Sequence, residues 1–212
     1  MKRIFLLVVA AVLCAIVVFL RIPATEFSEN FDGLKPELSV ASAGGFQTLD
    51  GTNVDVLGTG LYANLCSAPE SGNCVDMGGT GGNPQGVLRS VKQFDLKPGT
   101  TYKLSFELIG SQRGNATSTT VTFGPYQETF QLEAGDNKSG IVKNAALTVS
   151  EPQSVYLTFT NNTNSELGAL LDDVSVTSTN SDNVTWEIVL LLVAVGCVIL
   201  FFMRPAWLGT LS

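Results

Sequence analysis

The residues that could do chemistry in this chain exclude more than they offer. The 212-residue sequence contains no histidine. That removes the usual general base near neutral pH and the commonest zinc ligand. No Ser-His-Asp or Cys-His arrangement exists within it. Paired carboxylates are the remaining acid–base option, as in glycoside hydrolysis. The conspicuous pair, Asp172-Asp173, is adjacent on an expected strand. Successive strand residues point to opposite faces, so these two cannot flank one bond. The chain is expected not to be an enzyme.

Asp172 raises a different question. In Leu170-Leu-Asp-Asp-Val-Ser-Val176, regular alternation puts Asp172 on the face of Val174 and Val176. If those valines face a core, so does the carboxylate, and an unpaired buried carboxylate is costly. A bulge could turn it out, or backbone N–H groups, an Arg or a bound calcium ion could compensate it. Local backbone amides are the ordinary remedy. Glu29 and Asp32 are the candidate co-ligands if the compensation is structural calcium.

The four cysteines divide two and two. Cys14 and Cys197 lie inside apolar runs and read as small apolar residues. Cys66 and Cys74 flank the polar loop Ser-Ala-Pro-Glu-Ser-Gly-Asn. No further Cys or His could complete a zinc site with them. A local disulfide in an oxidising compartment is expected, with two free thiols as the alternative. Tyr62, Arg113 and Tyr126, in loop-like positions, are the ligand-contact candidates, set against the plainer reading that they are ordinary loop residues.

The elements that must position these residues divide the chain into segments. Residues 4–20 are apolar without interruption, with Lys2 and Arg3 before and Arg21 after. Segment 1–23 therefore reads as a signal peptide or an uncleaved signal anchor. Residues 188–203 carry no charge and are flanked by Trp186 and Arg204. Trp prefers the membrane interface and Arg can snorkel to headgroups, so 184–204 reads as a transmembrane helix. The basic flanks put the N-terminus and the 205–212 tail in the cytoplasm. Every Asp and Glu lies between Glu26 and Glu187 in a chain of net charge -7. The acidic middle then faces out, on the periplasmic or cell-surface side. An acidic domain without clustered Lys and Arg is a poor nucleic-acid binder.

Residues 24–180 form one domain of period two. Tyr102, Leu104, Phe106 and Leu108 alternate with Lys103, Ser105 and Glu107. Ser154 to Thr160 repeats the pattern, with Val155, Leu157 and Phe159 inward. Shorter runs cover Thr119–Phe123, Glu128–Leu132 and Ala145–Val149, and a strand is expected over Val87–Phe94. Turn signals fall between them, as at Lys97-Pro98-Gly99. The expectation is an all-β antiparallel sandwich or jelly roll. Gly78 to Pro84 is no phosphate loop, because no Gly-Lys-Ser/Thr follows. It reads as a flexible connection.

Four segments in order carry a resemblance: Gly72-Asn-Cys-Val-Asp-Met-Gly-Gly79, Gly86-Val-Leu-Arg-Ser90, Leu96 to Ser111, and Gly168-Ala-Leu-Leu-Asp-Asp-Val-Ser-Val176. Together they resemble the exported jelly-roll domains of bacterial PEP-CTERM-type surface proteins, over about residues 28–177. The resemblance implies a galactose-binding-like sandwich, presumed to bind carbohydrate or matrix, in some members with a structural calcium near the counterpart of Asp172. The chain lacks the Pro-Glu-Pro sorting motif before its last apolar run. Two functions follow. One is a membrane-anchored, non-catalytic binding or adhesion module for a surface glycan or matrix. The other is an accessory subunit whose sandwich and helices pack on partners within a membrane protein complex.

Overall fold

The computed structural model describes residues 23–66, 72–81, 86–138 and 142–180. The expected signal or anchor segment and transmembrane helix lie outside these residues. Among the described residues there is no helix long and apolar enough to cross a membrane. The compact unit is Ala24–Ser178.

Among the described residues fifteen strands build it. They are β1 (Ala24–Glu29), β2 (Glu37–Val40), β3 (Ser42–Ala43), β4 (Phe46–Thr48), β5 (Val54–Leu57), β6 (Cys74–Asp76), β7 (Val87–Ser90) and β8 (Phe94–Leu96). The rest are β9 (Thr100–Ile109), β10 (Thr117–Phe123), β11 (Tyr126–Leu132), β12 (Val142–Leu147), β13 (Gln153–Val155), β14 (Leu157–Asn161) and β15 (Leu170–Asn180). A seven-stranded sheet runs β12-β9-β15-β6-β5-β2, with β1 also paired to β15. A six-stranded sheet runs β11-β10-β14-β7-β4-β3, and β13 pairs with β8 alone. The described pairs are antiparallel. This is the expected all-β sandwich.

The alternation read from the sequence sets the core. Leu104, Phe106 and Leu108 of β9 and Val54 and Val56 of β5 meet Phe46, Leu88, Val121, Phe123 and Phe159 of the other sheet. Edge-to-face contacts link Phe46 to Phe159 within the six-stranded sheet and Phe159 to Phe106 across the layers, each worth about 0.5–1.5 kcal/mol beyond burial. A second cluster, Leu57, Leu65, Cys66, Cys74, Ile109 and Leu170, covers the outer side of the seven-stranded sheet.

Three expectations change. Ser154–Thr160 is not one strand: the chain leaves β13 and enters β14 at Tyr156, changing sheets there. Val87–Phe94 likewise splits into β7 and β8. Of the glycine-rich segment, residues 82–85 lie outside the described ones, and its start is no flexible connection. Gly78 is buried, and a Cβ there would stand 2.5 Å from the Gly168 nitrogen. The connection after β6 and the segment before β15 touch backbone to backbone at this point, which only a residue without a side chain allows.

Candidate functional site

The Asp172 problem is resolved by a bulge. Leu171 and Val174 both enter the core although three positions apart, so one extra residue lies between them. Asp173 takes it up with φ 47°. The break falls where β15 changes partner, from β6 at Leu171 to β1 at Val174. Asp172 therefore shares the outer side with Leu170, yet it is only 1% exposed. Its Oδ1 accepts the Asp173 N–H at 2.7 Å. Burial pushes its carboxyl up to about 8; Asp173, Glu107 and Asp32 add to the rise and the Asp173 amide opposes it.

Glu29 and Asp32 also serve backbone amides. Glu29 accepts Phe31 N–H at 3.0 Å and Gly45 N–H at 2.7 Å, tying the end of β1 to the β3–β4 turn. Asp32 accepts Asn73 N–H at 3.0 Å, beside Cys74. Among the described residues no three His, Cys, Asp or Glu side chains are grouped so as to hold a metal ion. The three candidate ligands, as placed, are three separate amide acceptors.

Cys66 and Cys74 form the expected disulfide, with Cα atoms 5.6 Å apart. The Lys138 ammonium donates to the Asn64 and Cys66 carbonyls beside it. Of the ligand-contact candidates, Tyr62 is exposed at the start of a single 3-10 turn, Ala63–Leu65. Tyr126 packs against the core, and its hydroxyl donates to Glu128 at 2.7 Å. Arg113 pairs with Asp76, which is fully buried and also accepts Gly78 and Gly168 N–H at 2.9 and 3.1 Å. The three do not converge on one surface feature. Arg113 and Tyr126 have partners of their own.

A set of side chains that sequence reasoning missed lies on the outer face of the six-stranded sheet. Inward Ala43, Phe46, Leu88, Val121, Leu157 and Phe159 force their strand neighbours outward. The neighbours fall in one transverse row. Its register pairs are Ser42↔Gln47, Gln47↔Arg89, Arg89↔Thr158, Thr158↔Thr122 and Thr122↔Gln127. Neighbouring strands stand about 4.8 Å apart, so the row is about 24 Å long. Among the described residues none of these six side chains hydrogen-bonds to another protein group. The adjoining Thr120 and Thr129, by contrast, bond one another at 2.8 Å, and Asn162 donates to Thr120 at 2.9 Å. One part of the face is knitted together, and one row is open. A partial signal was present in the alternation of β10 and β14, where Ser118, Thr120 and Thr122, and then Thr158 and Thr160, are the polar alternates.

Several solved structures are similar to this chain in fold. The CBM22-1 xylan-binding domain from Paenibacillus barcinonensis Xyn10C is similar at 13% identity and TM-score 0.45, over 76% of this chain and 97% of that one. A cleaved adhesin domain of Lys-gingipain from Porphyromonas gingivalis is similar at 17% identity and TM-score 0.44, over 71% and 96%. The C-terminal CBM6 of LamC from Zobellia galactanivorans is similar at 8% identity and TM-score 0.40, over 73% and 98%. No protein-family model and no curated protein matches the chain.

Proposed function

We propose that the domain is a non-catalytic glycan-binding module that works through the outer face of its six-stranded sheet. The observation that carries this reading is the open row from Ser42 to Gln127. A sugar presents hydroxyls that both donate and accept, and Ser, Thr and Gln side chains do the same. The strand spacing sets these groups at close to the step of successive sugar rings. A flat row suits an extended chain lying across the strands. The face carries no tryptophan, so binding comes from hydrogen bonds worth about 0.5–1.5 kcal/mol each. Affinity on the order of millimolar follows. We also place the module outside a membrane, held by the apolar segments 4–20 and 188–203. The Cys66–Cys74 disulfide fits an oxidising compartment.

The test is a glycan array probed with the full chain in detergent, beside a Thr122→Val, Thr158→Val, Gln127→Ala variant. Valine keeps the branched shape and removes the hydroxyl. Binding by the parent, lost by about tenfold or more in the variant with an unchanged melting temperature, supports the reading. A parent that retains no glycan, or a variant that binds as the parent does, sinks it.

A further inference from the structure

The open row holds a single charge. Arg89 stands between Gln47 and Thr158, near the middle of the sheet. Among the described residues the other arginine, Arg113, pairs with Asp76, whereas Arg89 makes no ion pair with a carboxylate. Its Nε is buried with no hydrogen-bond acceptor, so no protein oxygen neutralises the guanidinium from that side. What holds the group is Tyr156, whose ring centroid lies 4.4 Å from the guanidinium carbon. Tyr156 sits where the chain passes from β13 to β14, so its ring is placed by the change of sheet. The stack fixes the guanidinium without consuming its terminal N–H groups.

We propose that Arg89 is a subsite for a carboxylate carried by the glycan. The module would then prefer a chain bearing an occasional uronic or other acidic sugar to its neutral counterpart. This rests on the glycan reading of the same face. A guanidinium offers two parallel N–H donors to a planar carboxylate, a match that no neutral hydroxyl reproduces. The five other members of the row are uncharged, so they suit neutral sugars on either side. The chain's net charge of -7 sets an upper limit on ligand charge. A dense polyanion would be repelled by the domain as a whole. One carboxylate among neutral hydroxyls is what the row can accommodate.

The experiment uses the full chain in detergent on an array of oligosaccharides with single uronic acids. Each is printed beside the same oligosaccharide with its carboxyl reduced to the alcohol. The expected result is a preference of about tenfold or more for the acidic form, the scale of one charge-assisted pair. Arg89→Gln should level the two by weakening the acidic form more than the reduced one, so that the ratio between them falls about tenfold. Arg89→Lys should keep part of the preference, as a point charge without the fork. Tyr156→Leu keeps the charge and removes the stack, and should cut the preference severalfold. Melting curves show that each variant is folded. Equal binding of both forms by the parent, or a preference that survives Arg89→Gln, overturns the carboxylate subsite and leaves the glycan reading standing. Binding to no printed sugar overturns the glycan reading and the subsite together.

Discussion

Asp76 and Asp172 are carboxyls held almost out of water on the outer side of one sheet, and burial is the first cause of the shift in each. Asp76 is pushed up to about 6, with Arg113 and the Gly78 amide pulling the other way. Asp172 reaches about 8. Both values lie above that of an unfolded aspartate, about 4. Between about pH 4 and 8 the folded state therefore holds more protons than the unfolded one, and stability falls as pH rises. The Asp76 part is lost by about pH 6 and the Asp172 part by about pH 8. Urea midpoints should accordingly drop from about pH 5 to about pH 8, and Asp172→Asn should flatten the upper half of that drop. A midpoint that rises over this range contradicts the assignment. Repeating the series with calcium tests whether that ion compensates Asp172, because a cation there would hold the carboxyl ionised and remove the same upper half. Asp76→Ala tests the other carboxyl. It leaves two buried amides and Arg113 without their acceptor, and should cost about 3 kcal/mol in urea unfolding. Asp172 was legible as a problem because it interrupts an alternating strand. The pairing of Asp76 with Arg113 was not, since 37 positions separate them and no local pattern joins the two.

Elements are where alternation in the sequence was most informative. It places β9, β10 and β11 well, because a period of two with a buried face is a strong signal. It could not show that Tyr156 and Val91 interrupt apparent strands, since pleating continues across the change of sheet. Nor could it show which outward residues stand side by side. The row from Ser42 to Gln127 draws on six strands, and its register is a property of pairing, not of any one segment. The contact between Gly78 and Gly168 has the same character. Both amides donate to the one Asp76 oxygen, which draws the β6–β7 connection onto the start of β15. A Cβ on Gly168 would stand 2.3 Å from the Gly78 nitrogen. Gly168→Ala must separate the two segments and loosen that carboxylate. A loss of about 2 kcal/mol or more is expected, read as a fall of several degrees in melting temperature. The disulfide acts on a neighbouring segment through a short loop. Reducing it should cost about 2–3 kcal/mol by removing a restraint on the unfolded chain. A melting temperature indifferent to reductant would contradict that.

Across the whole compact unit the two outer faces are unlike. On the seven-stranded sheet the cluster around the disulfide and the buried carboxylates Asp76 and Asp172 cover the part near β5, β6 and the start of β15, while Lys103 and most residues of β12 are more exposed. The six-stranded sheet carries the polar row across all its strands. The terminal apolar segments are proposed to supply the surface from which that row is presented. The charge pattern is the argument for that arrangement. All acidic residues lie between Glu26 and Glu187, while Lys2 and Arg3 precede the first apolar run and Arg204 follows the second. Positive flanks stay on the cytoplasmic side. The full chain should therefore remain with membranes through an alkaline wash. Protease added outside intact spheroplasts should digest the acidic domain and leave a small protected fragment containing Arg204. Release by alkali, or a domain protected from external protease, would remove the anchor. Sizing the detergent extract then separates the two functions the sequence admits. A lone species that is retained by glycan fits the binding module. A stoichiometric protein partner that occupies the open row, and releases it to sugar only when stripped away, would make the same face a subunit contact.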